Sequence, residues 1–352
     1  MYRIVSLFLF ATVILGTIIV ITSENWFIIW VGLELSTLAL VPILTSTFTP
    51  RNVEATVKYF LIQALSAALL LNSTLIQAWL TGSWSILTPM NDLSFILLVI
   101  ALAFKLGIAP CHFWFPDVLQ GLPFNQGLIV STWQKIAPLI ILFQVTQISA
   151  SSLVVIIGLL STLIGGWGGL NQTQTRKILA FSSIGNMGWI IVTSVYSYNA
   201  ALAMLLIYLT INTCLFLTFQ FSNILTLGHL NSATQASPIN TLIIILSILS
   251  LGGLPPLTGF TMKFYSLYCL VNNGFYLPSA ILITGSLLSL FFYLRIAFNA
   301  SLILFPQHII NLTSWRNSNG LTPLPLQTWA ISILFILGTI STPLVLSLSL
   351  FL

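Results

Sequence analysis

Charge is what this sequence has least of. Only ten Lys/Arg and five Asp/Glu occur in 352 residues, 4% of the chain, against 57% hydrophobic residues. A soluble domain of this length could not cover its surface with so few polar groups, so a water-soluble globular fold is excluded. The formal charge of +5 does not point to nucleic acid, because ten cations scattered over the whole length form no basic patch. Thiols are scarce too. Cys111, Cys214 and Cys269 lie far apart and match no metal-ligand spacing, which leaves them as buried free thiols rather than a metal or redox site.

What fills the chain instead suits lipid. The apolar runs are about 20 residues long, the length an α-helix needs to cross ~30 Å of hydrocarbon, and they lack the alternation of a barrel strand. Polar, proline and glycine breaks divide the chain into eleven segments, near 2–22, 25–46, 55–80, 93–118, 124–147, 151–170, 175–196, 199–223, 239–271, 276–304 and 325–350. The first carries one arginine, no small-residue cleavage site and no Arg-rich presequence before it, so it reads as a retained helix. Pro110 and Pro116 interrupt segment four, and Gly252-Gly253-Leu254-Pro255-Pro256 interrupts segment nine. The longer connections, 224–238 and 305–324, read as exposed loops. Trp26 and Trp329, near segment ends, read as anchors at the membrane interface. The expected fold is all-α: a single polytopic transmembrane domain over 1–352, with about eleven helices and no soluble domain.

The basic residues set an orientation. Lys105, Lys135 and Lys263 fall at membrane depth. With eleven spans the remaining seven, Arg3, Arg51, Lys58, Arg176, Lys177, Arg295 and Arg316, all lie on the N-terminal side. The opposite loops hold Glu24 and Asp92 and no Lys or Arg. By the positive-inside rule the N-terminus faces the cytoplasm-like or matrix side and the C-terminus the other. The two interrupted segments lie five apart, and each carries one lysine. That spacing suggests two inverted five-helix repeats, 2–147 and 151–304, followed by a C-terminal helix near 325–350. In transporters built this way the broken helices mark the translocation site.

The intramembrane charges carry the chemistry. In Phe104-Lys105-Leu106-Gly107-Ile108-Ala109-Pro110, the missing N–H of Pro110 leaves the Leu106 carbonyl without its helical partner, beside an ammonium. Both groups are costly at membrane depth unless they face protein or water. Glu34 sits mid-segment in Trp30-Val31-Gly32-Leu33-Glu34-Leu35, Lys135 mid-segment before Pro138, and Lys263 after the second break. The bland reading is one Glu34–lysine pair bridging helices, and burying such a pair need not stabilise a fold. It leaves two lysines with no carboxylate. Low dielectric disfavours an ammonium, so a lone buried lysine can accept and release a proton. A carboxylate approaching and leaving would gate that exchange. His112, just past the first break, is a weaker candidate for passing protons. Glu54 and Lys58 read as an i,i+4 ion pair at a helix start. Gly165-Gly166-Trp167-Gly168-Gly169 lacks the strand and the Lys-Ser/Thr of a phosphate loop, and reads as a helix-packing surface.

Several stretches together resemble the chain 2 family of NADH–ubiquinone oxidoreductase, the antiporter-like membrane subunits of respiratory complex I. They are Trp30 to Leu35, Lys105 to Pro110 with His112-Phe113-Trp114, and Thr132-Trp133-Gln134-Lys135. To these are added Trp167 to Gln174 running into Arg176-Lys177-Ile178-Leu179-Ala180, and Leu251 to Phe260. The likeness spans about 25–300. It implies a place in the proton-pumping membrane arm, in the mitochondrial inner membrane, among neighbouring antiporter-like and small membrane subunits and lipid. It implies that Glu34 and Lys105 are the family's glutamate–lysine pair, Lys135 its central connecting lysine and Lys263 the lysine of its second broken helix. NAD, FMN, iron–sulfur clusters and ubiquinone are expected in other subunits, with no cofactor or metal in this chain. Mitochondrial encoding would account for the missing presequence. One departure stands out: Asn186 occupies a position where the family usually has a histidine, and asparagine cannot titrate.

The expected function is therefore proton translocation in a respiratory NADH:ubiquinone reductase, through a relay of Glu34, Lys105, Lys135 and Lys263, with no redox chemistry in this chain. One rival is a free-standing cation/proton antiporter. A sodium site wants several oxygen ligands, and only Glu34 is offered near the midplane. The other rival is an inert structural subunit whose charges only lock helices together.

Overall fold

A backbone in hydrocarbon has no water to bond, so each apolar segment closes its own hydrogen bonds as a helix. The computed structural model describes residues 3–149, 152–230, 238–301 and 325–339. Among the described residues the backbone forms helices and two isolated bridges, and no strand. The helices are α1 (Arg3–Thr22), α2 (Trp26–Leu44), α3 (Pro50–Thr81), α4 (Asp92–Leu106), α5 (Trp114–Gly121), α6 (Phe124–Ser131) and α7 (Trp133–Ile148). They continue with α8 (Ser152–Gly169), α9 (Thr175–Tyr196), α10 (Tyr198–Phe221), α11 (Pro238–Gly252), α12 (Thr258–Asn272), α13 (Tyr276–Ser301) and α14 (Pro325–Thr339).

Eight of the described helical stretches are long and apolar enough to cross a membrane in one piece, counting α6 and α7 together. The other three segments are the two broken ones and the last. The expected loop over 305–324, His308, Arg316 and the end of the final segment lie outside the described residues.

The start of α3 shows how local chemistry sets a boundary. Thr49 accepts from the Asn52 N–H at 3.4 Å, and Pro50 occupies the first turn, where its missing N–H costs nothing. At 1.5 Å per residue its 32 residues reach about 48 Å, beyond the hydrocarbon core. Glu54 and Lys58, paired at 2.6 Å, ride on its exposed first turns as the sequence spacing suggested.

The described residues form two compact units, within Met1–Ser161 with Met187–Tyr198 and within Thr162–Asn186 with Asn199–Leu352. In the first, α1 lies along α2, α3 packs against α2, α4 and α5, and α7 touches α1, α2 and α4. A side chain at Gly16 would come within 2.7 Å of the Gly32 carbonyl, so small residues let these backbones approach closely. At one end of this unit the α1–α2 and α3–α4 connections are tied together. The Trp26 N–H bonds the Trp84 carbonyl and the Ile86 N–H the Glu24 carbonyl, both at 2.9 Å. At the other end Gly121 sits on the Arg51 carbonyl.

In the second unit α11 packs on α12, α13 and α14, and α12 also touches α13 and α14. The glycine run of α8 is a packing surface: Gly165 lies on Gly185, Gly166 on Gly285 and Gly169 on Phe292, while Trp167 is exposed. The connections after α8 and α10 pair through Thr175 N–H to Leu225 O (3.2 Å) and Leu227 N–H to Thr173 O (3.0 Å). The Arg295 guanidinium ends at the same place, donating to the carbonyls of Leu170 and Gln172.

Three details differ from the sequence expectations. Trp26 is buried, at 1% exposure, rather than at a lipid interface, although Trp329 is exposed as expected. Pro116 breaks nothing. It lies in the first turn of α5, where a missing N–H is tolerated. Segment five is not continuous, for the helix is interrupted at Thr132 between α6 and α7. There the Leu128 carbonyl is claimed by the Thr132 hydroxyl (2.6 Å), the Ser131 hydroxyl (3.1 Å) and the Thr132 N–H (3.0 Å), the side-chain back-bonding that bends helices.

Candidate functional site

The first break is made by glycine before proline is reached. Gly107 adopts φ +67°, a left-handed conformation that favours glycine. Its N–H bonds the carbonyls of Ala103 (3.0 Å) and Phe104 (3.3 Å), and the Ile108 N–H bonds Ala103 (3.2 Å). This is the Schellman closure of a helix end. Lys105 lies two residues upstream, so its ammonium sits at the negative, carbonyl end of α4. The residue is 5% exposed, and Nζ has no hydrogen-bond partner among the described residues.

Other polar atoms gather at this break in the same condition. His112 Nδ1, Trp114 Nε1 and the Tyr59 hydroxyl are buried without a partner among the described residues. The Tyr59 and Trp114 rings lie 6.1 Å apart, and Trp114 and Phe115 press against Gly107. Glu34, halfway along α2 and half-buried, accepts at Oε2 from the Thr37 hydroxyl at 3.0 Å. Its charge acts on both Lys105 and Tyr59. Glu34 and Lys105 are coupled through space rather than by contact, because Lys105 Nζ has no hydrogen-bond partner among the described residues.

Lys135 follows the kink at Thr132 and is 2% exposed. Its Nζ stands 4.3 Å from the centre of the Phe115 ring, a cation–π contact. Phe115 itself lies on Gly107, so α5 joins the first break to Lys135. Three of the four expected relay residues thus share the first unit.

The second break repeats the first in its backbone. Gly253 has φ +81°, its N–H bonds Leu249 (3.1 Å) and Ser250 (3.0 Å), and the Leu254 N–H bonds Leu249 (3.3 Å). Lys263 comes after this break, on α12, yet reaches back to it. Nζ donates to the carbonyls of Leu251 (2.9 Å) and Gly252 (3.2 Å), and the stem lies over Gly253. In both breaks an ammonium therefore sits at the carbonyl end of the first half-helix. One arrives from within the helix and the other from its continuation.

One cluster was not singled out from the sequence beyond Asn186. The Tyr293 ring on α13 lies over Gly252, and its hydroxyl faces Ser182 and Asn186 on α9. Tyr208 on α10 faces Ser183, is close enough to interact with Tyr293, and accepts from Asn212 Nδ2 at 3.1 Å. Tyr208 and Tyr293 are each 3% exposed. The available signal was their position near the middle of apolar segments, where a phenol must find a polar partner. Among the described residues no group of His, Cys, Asp and Glu could hold a metal ion. Cys214 is buried, Cys111 and Cys269 are half-buried, and all three are free thiols.

The family model described as "NADH:quinone oxidoreductase/Mrp antiporter, TM" matches residues 23–289, and that for the NADH dehydrogenase subunit 2 C-terminus matches 290–348. NADH-ubiquinone oxidoreductase chain 2 of the organism Paracentrotus lividus is 64% identical over 348 residues, 99% of each chain. The chain belongs to the chain 2 family of NADH–ubiquinone oxidoreductases. The Strongylocentrotus purpuratus member is 66% identical over 348 residues, again 99% of each chain. A chain in the structure titled respiratory complex I from Thermus thermophilus with bound aureothin superposes with a TM-score of 0.83 at 26% identity. That match covers 99% of this chain and 79% of that one. As a chain 2 family member with multiple apolar helices, the protein is a multi-pass protein of the mitochondrial inner membrane.

Proposed function

We propose that the chain is the proton-translocating chain 2 subunit of respiratory NADH:ubiquinone oxidoreductase. Quinone reduction elsewhere in the complex is coupled to proton transfer through Glu34, Lys105, Lys135 and Lys263. The observation that carries this reading is Lys105: a buried ammonium at a broken helix, with Glu34 acting on it from a distance and Nζ bonded to nothing among the described residues. A structural lysine would be tied down. Movement or neutralisation of Glu34 changes how firmly Lys105 holds its proton, and Lys135, facing Phe115 on the same α5, is the next site in line. Electron carriers, NADH and quinone are assigned to other subunits, and the chain's partners are the adjacent antiporter-like and small membrane subunits. The two breaks, with their matching closures, support two inverted repeats over 2–147 and 151–304 and a C-terminal helix. The N-terminus is assigned to the matrix side and the C-terminus to the intermembrane space.

The test is Lys105→Met in the assembled complex, reconstituted into vesicles with NADH oxidation and lumen acidification followed together. Assembly with pumping largely lost is expected. Wild-type pumping would remove Lys105 from the relay. The scaffold reading has one observation in its favour, the carbonyl bonds of Lys263. Double replacement of Lys135 and Lys263 by methionine separates the two: a scaffold loses assembly, a relay assembles and does not pump.

A further inference from the structure

The second unit contains one relay lysine and, beside its break, a buried cluster that the four charged residues leave unused. The cluster is built from three helices: Ser182, Ser183 and Asn186 on α9, Tyr208 and Asn212 on α10, and Tyr293 on α13. Ser182 and Ser183 donate their hydroxyls back to the carbonyls of Leu179 (2.8 Å) and Ala180 (2.7 Å), so their oxygens face the cluster as acceptors. Tyr293 links the cluster to the break, since its ring rests on Gly252, whose carbonyl holds Lys263. Asn186 Nδ2 is buried and makes no hydrogen bond of normal length among the described residues. A buried amide left this way is costly unless something else uses it.

Packing alone would be served better by phenylalanine at 208 and 293, which needs no polar partners. A hydroxyl has one donor and two acceptor positions. It can take a proton on oxygen while releasing its own to the next acceptor, ending neutral. An asparagine cannot do this, but its amide can hold a phenol in the required orientation. Resting on the relay reading above, we propose that the Tyr293 and Tyr208 hydroxyls, with Ser182 and Ser183, form a proton-passing chain in the second unit, and that Asn186 orients Tyr293. Tyr293 accepts a proton from the side of the Lys263 break as its own proton leaves to Ser182. Ser182 in turn swings its hydroxyl away from the Leu179 carbonyl and releases that proton toward Ser183 and Tyr208, so that each hydroxyl ends neutral. Rotation of the phenol O–H resets it. No phenolate forms and no electron moves.

Tyr293→Phe in the assembled complex tests this, because it keeps the ring on Gly252 and deletes only the oxygen. Proton pumping and NADH oxidation are measured in vesicles beside wild type and Lys105→Met. A severalfold loss of pumping with assembly retained supports the proposal. Wild-type pumping in Tyr293→Phe together with loss in Lys105→Met overturns it and leaves the lysine relay standing. Wild-type pumping in both overturns the relay reading and this inference with it. Should Tyr293→Phe fail to assemble, Ser182→Ala removes the proton's next acceptor and leaves the phenol intact. A severalfold loss there supports the chain, and unchanged pumping overturns it.

Discussion

The ammonium groups of Lys105 and Lys263 serve equivalent ends of two broken helices, one from the last turn before the break and the other from the helix after it. Yet they are held differently, and the difference separates stability from function. Lys263 Nζ bonds two backbone carbonyls, while Lys105 Nζ bonds none among the described residues. A hydrogen bond from a charged donor contributes about 1.5–3 kcal/mol. Lys263→Met should therefore lower the thermal midpoint of the purified complex, whereas Lys105→Met, which removes a desolvated charge and no bond, should leave it unchanged or raised. Lys263→Arg sharpens the point. A guanidinium keeps a positive donor near the Leu251 and Gly252 carbonyls and cannot release its proton. Both Lys263→Arg and Lys263→Met should assemble and fail to pump in vesicles, with the arginine variant melting at the higher temperature. Pumping by the arginine variant would reduce Lys263 to a cap. The lysines were legible in the sequence because a charge within an apolar run stands out against its neighbours. Tyr293 and Tyr208 were not, because tyrosine is equally at home at a membrane interface and a linear reading does not show which way a phenol faces. Trp26 was misplaced for the same reason.

Among the elements, both interrupted helices were readable from their Gly/Pro clusters, but the residue that ends each was not. Proline draws attention through its missing N–H, whereas the helix stops at Gly107 and Gly253, where a left-handed φ lets two N–H groups close the last turn. Alanine at position 107 would carry the left-handed penalty of about 1–2 kcal/mol. Its Cβ would also lie 3.0 Å from the Cβ of Phe115, the residue under Lys135. Gly107→Ala should reduce assembled complex on native gels and lower its thermal midpoint. The kink at Thr132 escaped a reading of breaks because it depends on hydroxyls bonding the Leu128 carbonyl, and Ser and Thr carry no such signal by composition alone. Glycines that face each other also differ in what they tolerate. A Cβ at Gly165 would lie 2.5 Å from the Gly185 N, while one at Gly185 meets nothing within 4 Å. Gly165→Ala should force α8 from α9 and weaken assembly, and Gly185→Ala should be accepted. Equal losses from both would mean that the two helices pack otherwise.

At the scale of the whole molecule, the distribution of basic residues becomes a statement about sides of the membrane. In the first unit the connections bearing Glu24 and Asp92 share one end, and Arg51 starts α3 at the other. In the second unit the chain before Arg176 and Lys177 is paired with the chain after α10, and Arg295 bonds into the same place. Each unit thus gathers its described basic loop residues at a single end, the pattern that the positive-inside rule assigns to the matrix. Two residues report the two sides: Leu87, 65% exposed, lies in the α3–α4 connection, and Leu225, 44% exposed, in the chain after α10. A cysteine placed at each, with the native thiols Cys111, Cys214 and Cys269 as background, can be challenged with a membrane-impermeant thiol reagent on mitochondria stripped of their outer membrane. Leu87→Cys should label at once, and Leu225→Cys only after detergent opens the inner membrane. The reverse order would invert the assignment of the N-terminus, and with it the direction in which Glu34 and Lys105 receive their protons.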